Sequence, residues 1–507
     1  MATKNDLMKE LNKIGIALSA EKDTNKLLQL ILEESIKITN SDGGSLYIKE
    51  IIDKEEKLKF KITKNFSREF PFKEFTLPLN KKSISGYVGL TGETLNIKNV
   101  NNIDSLLKIT YNNSFDKSIN YKTINMLVIP MKDYSGDVVG VLQLLNKKKE
   151  EGTVLGEPDT IEKNIISYTR DEEEIITSLA SQAAILLERT RLYNEIEELF
   201  QSFIEAMVST LDARDTTTSG HSRRLAGYAI ELAKAIDRID YGPYKDKTFN
   251  KDEIRQLYYA ALLHDIGKVG IKENILLKRN RLTDDRMETI KYRFQYFKKN
   301  LELRKVLHRL SDYETELLLK IDKYYEIISD INKKGFVTVD EENMISKISM
   351  VEFIDVDGTN RNLLDEFEIE NLMIKKGNLT DEERREMNLH VTFTYDILEG
   401  IKWTKLLKRI PEIASGHHEK IDGSGYPHGL VGDEIPFEAK LLAILDIFEA
   451  LTARDRPYKP PMAVEKALKI LEFEVKDNHL DKYIFEIFVK EKIYELYKKE
   501  LNKIVII

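Results

Sequence analysis

The run His417-His418-Glu419-Lys420-Ile421-Asp422-Gly423-Ser424-Gly425-Tyr426-Pro427 concentrates more special residue types than any other stretch of this chain. Adjacent histidines on an ideal helix point about 100° apart, yet they can converge on one centre if the helix ends there. The glycines and proline that follow announce a loop at that point. The chain has 8 histidines among 507 residues, and another of them, His264, is followed directly by Asp265 and then by Gly267 and Lys268. Upstream, Ile254, Leu257, Tyr258, Ala261 and Leu262 form a helical stripe, opened by Asn250 and Glu253 as an N-cap and capping-box pair. An aspartate at the C-terminal end of that helix opposes the dipole unless a cation neutralises it. Neutral imidazole and carboxylate are natural ligands of first-row metals. Both stretches therefore read as parts of a metal site in a mostly α-helical second half.

Outside that half the pattern changes. Leu7 to Ile38 carries apolar residues at helical spacing. Short strand-like runs follow at Ser45–Ile48, Leu58–Ile62, Thr94–Ile97, Met126–Met131 and Val138–Leu145. This mixture predicts an α+β sensor-like domain. Asp171 to Leu211 contains neither glycine nor proline and reads as one long helix. Its apolar positions Leu179, Ala183, Leu186, Leu192, Ile196, Leu199, Phe203, Ala206 and Leu211 recur near every 3.5 residues. That period fits a parallel two-stranded coiled coil, and so a homodimer, with packing onto its own domain as the alternative.

Composition bounds the function. Apolar residues make up 42% and charged residues 32%, which excludes a wholly disordered or collagen-like chain. No apolar run is long enough to span a membrane, and Met1 to Glu10 lacks the apolar core of a secretory signal. The absence of cysteine excludes disulfides and thiolate zinc sites. A net charge of -8 argues against coating a nucleic-acid polymer. The expectation is a soluble, cytoplasmic, multidomain protein.

Two resemblances sharpen this reading. Residues 6–189 resemble a GAF domain through Asp42-Gly43-Gly44-Ser45-Leu46-Tyr47-Ile48, Gly86-Tyr87-Val88, Val128-Ile129-Pro130-Met131 and Gly140 to Lys147. Some GAF domains that bind cyclic nucleotides carry an Asn-Lys pair, a later Phe and then Asp-Glu. Here Asn146-Lys147, Tyr168 and the acidic Asp171 to Glu174 match that in part, against the plainer reading of a strand end followed by a helix N-terminus that favours acids. The resemblance implies an unidentified small-molecule ligand.

From about Phe203 to Asn478 the chain resembles the HD-GYP family of metal-dependent cyclic di-GMP phosphodiesterases. The carriers are Asp212-Ala213-Arg214-Asp215 with Thr218 to Ser222, His264-Asp265-Ile266-Gly267-Lys268, the His417 to Pro427 run, and Asp446 to Thr452 with Asp455-Arg456-Pro457-Tyr458. The resemblance implies an all-α domain over 203–507 and metal ligands His221, His264, Asp265, His390, His417, His418 and Asp446. Asp265 would bridge two metals; His221, His264 and Asp446 complete one site, and His390, His417 and His418 the other. Thr217 stands where three-metal members carry Glu, which points to two metals. Iron or manganese suits this donor set, with nickel or zinc as alternatives. Asp265 and Lys268 would be catalytic, with Lys268, Arg456 and Lys459 on phosphate. Asp422, Gly423, Gly425, Tyr426 and Pro427 would frame the substrate pocket or meet a partner such as a diguanylate cyclase. The implied reaction is hydrolysis of cyclic di-GMP to linear pGpG, and onward to GMP as an open question. The alternatives are another cyclic dinucleotide or nucleotide as substrate, or a binding and adaptor module with little catalysis.

Two similar helix starts, Arg281-Leu282-Thr283-Asp284-Asp285 and Asn378-Leu379-Thr380-Asp381-Glu382, lie 97 positions apart. The second has His390 where the first has Arg293, so His390 is the expected ligand and residues 282–377 the expected helical insertion. His308, on a helix surface, and His428 and His479 are expected to stay outside the site.

Overall fold

Asp53 and Lys54 both take positive φ, 55° and 66°, and turn the chain between β1 (Ser41–Ile52) and β2 (Glu55–Asn65). This is the geometry a two-residue hairpin needs. The computed structural model describes residues 15, 23–69, 74–156, 161–215, 220–453 and 461–495. It comprises two units, Met1–Phe200 and Gln201–Ile507. The GAF-like start at 6 and the first half of the Leu7–Ile38 stripe lie largely outside the described residues.

In the first unit, α1 (Thr24–Thr39) precedes β1, with Asp23 as its N-cap accepting from the amides of Asn25 and Lys26. After β2 come β3 (Thr76–Pro78), α2 (Ile84–Thr91), β4 (Leu95–Ile97), α3 (Ser114–Ser118), β5 (Met126–Lys132) and β6 (Val138–Lys147). The strands form one antiparallel sheet in the order β3-β2-β1-β6-β5-β4. β3 is a three-residue edge strand that the sequence pattern does not announce. Alternation decides the two faces. Leu46, Leu142 and Leu144 pack with Leu27, Ile31, Ile176, Leu179 and Ala183. Tyr47, Val141 and Val128 turn the other way, toward Leu58, Phe60 and Val88.

Helix α4 (Arg170–Arg214) carries three acids in its first turn, Asp171, Glu172 and Glu173, as the dipole favours. Its apolar stripe splits in three. Leu179 and Ala183 are buried in the first unit and Leu211 is buried in the second, whereas Leu192, Ile196, Leu199 and Phe203 between them are exposed, Leu199 to 71%.

The second unit continues with α5 (His221–Ile236), α6 (Lys251–Leu263), a 3-10 turn at Ile266–Gly270 and α7 (Glu273–Leu276). The expected capping box forms at α6: Asn250 accepts from the Asp252 and Glu253 amides and Glu253 answers the Asn250 amide. Next come α8 (Asp284–Val306), α9 (Asp312–Lys333), α10 (Val339–Ser349), the hairpin β7 (Glu352–Ile354) and β8 (Asn360–Asn362), and α11 (Glu366–Leu372). These elements share a core of their own, including Ile290, Phe294, Ile321, Ile345, Phe353 and Leu372. At its neck, buried Arg281 donates to the carbonyls of Ile331, Lys334 and Ile374. Lys278 reaches Glu383 at 2.6 Å and Asn371 at 2.7 Å. The unit closes with α12 (Asp381–Glu399), α13 (Ile410–Ser415), α14 (Phe437–Thr452), α15 (Val464–Lys476) and α16 (Lys482–Lys490). Among the described residues no helix is long and apolar enough to cross a membrane.

His308 departs from expectation in one respect. It sits just past the end of α8 at φ 54°, in the turn that stops the helix, and it is exposed.

Candidate metal centre

Five segments of the second unit bring seven side chains together. His221 opens α5, His264 caps the C-terminus of α6 with Asp265 beside it, and His390 lies within α12. His417 and His418 follow the end of α13, and Asp446 lies within α14. Three overlapping groups result: His221, His264 and Asp446; His264, Asp265 and His417; and His390, His417 and His418. Within each group the ligand atoms lie inside 4.8 Å of one another. Asp265 faces both outer groups, with Oδ2 3.4 Å from His264 Nε2 and Oδ1 3.4 Å from His390 Nε2.

The rings are oriented by their far nitrogens. His264, His390 and His417 each donate Nδ1–H to the carbonyl three residues earlier: Ala261 at 2.8 Å, Met387 at 2.7 Å and Ala414 at 2.7 Å. That bond places the proton on Nδ1 and leaves Nε2 as a lone-pair donor aimed inward. Among the described residues, the buried Nε2 atoms of His390 and His417 have no hydrogen-bond partner. A buried polar atom without a partner is costly, and a metal ion supplies what these two lack. The donor set fits a divalent transition metal.

Charge is arranged to match. Burial pushes the His417 imidazolium well below its ordinary range, with His418 beside it. Burial likewise brings His418 down to about 4 and lowers His390. At His221 burial also disfavours charge, but hydrogen bonds to Asp446 and Glu449 outweigh it and raise the group to about 9. Burial works against the Asp265 carboxylate, yet Lys268 and the neighbouring histidines hold it well below the usual carboxylate range. Lys268 Nζ stands 2.7 Å from Asp265 and 3.5 Å from buried Asp215. The helix-end aspartate thus has a lysine as neutralising cation, where the sequence reading invoked a metal alone.

Gly267 lets this loop approach α12. A Cβ there would stand 1.9 Å from the His390 carbonyl oxygen and 2.4 Å from the Thr394 nitrogen. Instead the Gly267 amide donates to Thr394 Oγ1, which donates to the His264 carbonyl, each at 3.0 Å. In the Gly-Tyr-Pro loop the Tyr426–Pro427 bond is cis, and the Tyr426 ring lies 4.8 Å from that of His418. A Cβ at Gly425 would stand 2.3 Å from the Lys420 nitrogen.

Asp422 and Gly423 are used within the loop. Asp422 accepts from the Ser424 amide and hydroxyl, and the Gly423 amide bonds the Lys420 carbonyl. Thr217, Arg456 and Lys459 lie outside the described residues. Arg293, the counterpart of His390 in the first helix start, pairs with buried Glu368 at 2.7 Å. His428 is exposed, and His479 pairs with Glu474 at 2.6 Å. The sequence reading passed over three participants: Asp215, Thr394 and Glu449. The one available signal was spacing, since Thr394 lies one turn beyond His390 and Glu449 one turn beyond Asp446.

The first unit has a cavity of about 550 Å³ lined by Tyr47, Phe60, Phe75, Tyr111, Asp116 and Gln143 among others. Burial pushes the Tyr47 phenol up to about 12. Asn146, Lys147 and Tyr168 are engaged elsewhere. Lys147 pairs with Glu172 at 2.5 Å, Asn146 accepts from the Ile124 amide at 2.7 Å, and Tyr168 bonds Ser41 at 2.8 Å. The Lys147–Glu172 pair ties the end of β6 to the start of α4.

Residues 23–187 match the GAF domain family, and residues 218–331 and 367–484 each match an HD domain family. The chain is therefore a GAF domain followed by an HD domain. Among characterised relatives, it is 28% identical over 302 residues to a probable cyclic di-GMP phosphodiesterase of Vibrio cholerae, covering 60% of this chain and 46% of that protein. It is 40% identical over 102 residues to the cyclic di-GMP phosphodiesterase response regulator RpfG of Xanthomonas campestris, covering 20% and 26%. It is 42% identical over 101 residues to 3'3'-cGAMP-specific phosphodiesterase 3 of Vibrio cholerae, covering 20% and 21%. The matched segments span less than half the length of each of these relatives.

Proposed function

We propose that this chain is a metal-dependent phosphodiesterase that opens cyclic di-GMP to linear pGpG under control of its GAF domain. The observation that carries the reading is the pair of donor groups on either side of Asp265, with the buried Nε2 atoms of His390 and His417 making no hydrogen bond among the described residues. His221, His264 and Asp446 would hold one ion, His390, His417 and His418 a second, and Asp265 would bridge them, iron or manganese being the best matched. Bound there, two metals lower the pKa of a water toward neutrality and offset charge on the phosphoryl group. Lys268 keeps its charge beside Asp265 and would meet a non-bridging phosphate oxygen as negative charge builds. Tyr426, against His418, would border the pocket for a base. Arg456 and Lys459 are the proposed partners of the second phosphate.

Another cyclic dinucleotide is the second reading. Identity to the relative named for 3'3'-cGAMP, 42%, is close to that to the one named for cyclic di-GMP, 40%, over segments of like length. Control would pass along α4, whose exposed Leu192, Ile196, Leu199 and Phe203 are spaced for pairing with a second copy. The GAF cavity would take a small molecule.

The test is anaerobic purification, metal analysis, and incubation with cyclic di-GMP and 3'3'-cGAMP followed by chromatography. Linear product from the metal-loaded protein, absent for Asp265→Ala, is expected. Failure of loaded protein to open either dinucleotide would overturn the proposal, as would wild-type turnover by Asp265→Ala.

A further inference from the structure

His221 is held differently from the other buried histidines. His264, His390 and His417 use the carbonyl three residues back. His221 is the first residue of α5, after Gly220 at φ 69°, so no earlier turn of its own helix can offer such an acceptor. Its Nδ1 meets the Oε2 of Glu449 instead. Glu449 is only 2% exposed, and its other oxygen accepts from Arg224 Nε at 2.5 Å. Arg224 lies one turn after His221 on α5, and Glu449 one turn after Asp446 on α14. Asp446 Oδ1 in turn stands 3.1 Å from His221 Nε2. Four side chains, two from each helix, thus form a chain, Asp446–His221–Glu449–Arg224, along one half of the centre.

Among the described residues, no carboxylate is hydrogen-bonded behind a ring of the other half. His390, His417 and His418 are all imidazoles, and the carboxylates that act on them, Asp265 and Asp446, lie within the centre itself. A carboxylate behind a ligating histidine fixes its ring and raises its basicity. We infer that Glu449 is the positioning residue for His221 and that it makes the half containing His221, His264 and Asp446 the tighter of two unequal metal sites. Arg224 pairs with the buried Glu449 carboxylate. This inference rests on the metal-centre reading above.

The test uses the full chain, stripped and titrated with manganese(II) under anaerobic conditions, with bound metal counted. Wild-type protein should bind about two equivalents in two affinity classes, and a chelator should release them in two phases. His418→Ala should remove the weaker class and leave the tighter. Glu449→Ala should weaken the tighter class about 10- to 100-fold. Glu449→Gln, which retains an acceptor for Nδ1–H, should recover part of that loss. Unchanged affinity in Glu449→Ala overturns the assignment. If Glu449→Ala does not fold, wild type decides: one affinity class released in a single phase overturns the inequality. No manganese bound by wild type would refute the metal centre itself, a result distinct from two equal sites.

Discussion

Replacing Gly267 by alanine tests whether the centre depends on the close approach of two backbones. The added Cβ would stand 1.9 Å from the His390 carbonyl oxygen, where real Cβ atoms essentially never come within 3.0 Å of a neighbour. Relief therefore needs a separation of about 1.1 Å between the 3-10 turn and α12. Neither neighbour is the end of a flexible side chain, since the 2.4 Å contact is with the Thr394 backbone nitrogen. Separation would also break the Gly267–Thr394–His264 hydrogen-bond chain and draw His390 away from Asp265. Overpacking of this kind costs about 1–3 kcal/mol. A misplacement of about 1 Å at a reacting site costs on the order of 100-fold in rate. Gly267→Ala should therefore melt several degrees lower, bind less metal and turn over at about one-hundredth of the wild-type rate. Gly335→Ala, which meets nothing within 4 Å, is the matched control. Full metal content and wild-type turnover in Gly267→Ala would refute the reasoning.

Stripping divalent metal should lower the melting temperature of the HD unit, because binding at a hundredfold excess over Kd adds about 2.7 kcal/mol; an unchanged calorimetric transition would count against occupancy. Glu368→Ala should destabilise the insertion by about 3–5 kcal/mol, since it leaves Arg293 facing a fully buried position without its carboxylate, while Arg286 keeps only Asp365. Denaturant titration would measure this, and a loss under about 1 kcal/mol would show that the pair is not structurally important. Leu199→Glu should convert a dimer to a monomer in light scattering while leaving each unit folded. Inserting two residues near Glu195 should shift the stripe's phase and uncouple the GAF domain from turnover, so unchanged ligand response would contradict signalling through α4.

That His264, Asp265, His417 and His418 belong to one site was legible from local geometry, a helix that must end and glycines that must turn, whereas His221, His390 and Asp446, which the structure brings beside them, were expected only from the HD-GYP resemblance. His390 was preferred to the first helix start on the family pattern; it stands with His417 and His418, and Arg293 is bound to Glu368. What could not be read was partnership across the fold. Glu449 meets His221 across 228 positions, a pairing created by the packing of α5 on α14. Asp265 was given a metal as its neutralising cation, although Lys268 three residues on already supplied one at 2.7 Å. The β3 edge strand escaped because Thr76-Leu77-Pro78 ends in a proline, which argues against a strand except at an edge. The long helix was legible as a helix, but the burial of both its ends was not, because apolar spacing alone does not say which turns have neighbours.

Helix termination explains why the histidine motifs sit where they do. The last four carbonyls of a helix have no partner within it. Ala261 is in the final turn of α6 and Ala414 in the final turn of α13. Each gives its free carbonyl to the Nδ1 of the histidine three residues later. One bond thus satisfies an orphan acceptor, fixes the tautomer and aims Nε2 at the centre. A histidine at a helix start has no such carbonyl, and at His221 the sequence compensates with a glutamate on another helix. Moving a ligand histidine from a helix end to a helix start therefore costs a second residue elsewhere in the chain, and that residue must itself be neutralised, here by Arg224. The short motifs at His264 and His417 and the longer-range arrangement around His221 are two solutions to one requirement, an imidazole held rigidly through Nδ1 with its Nε2 turned toward the centre.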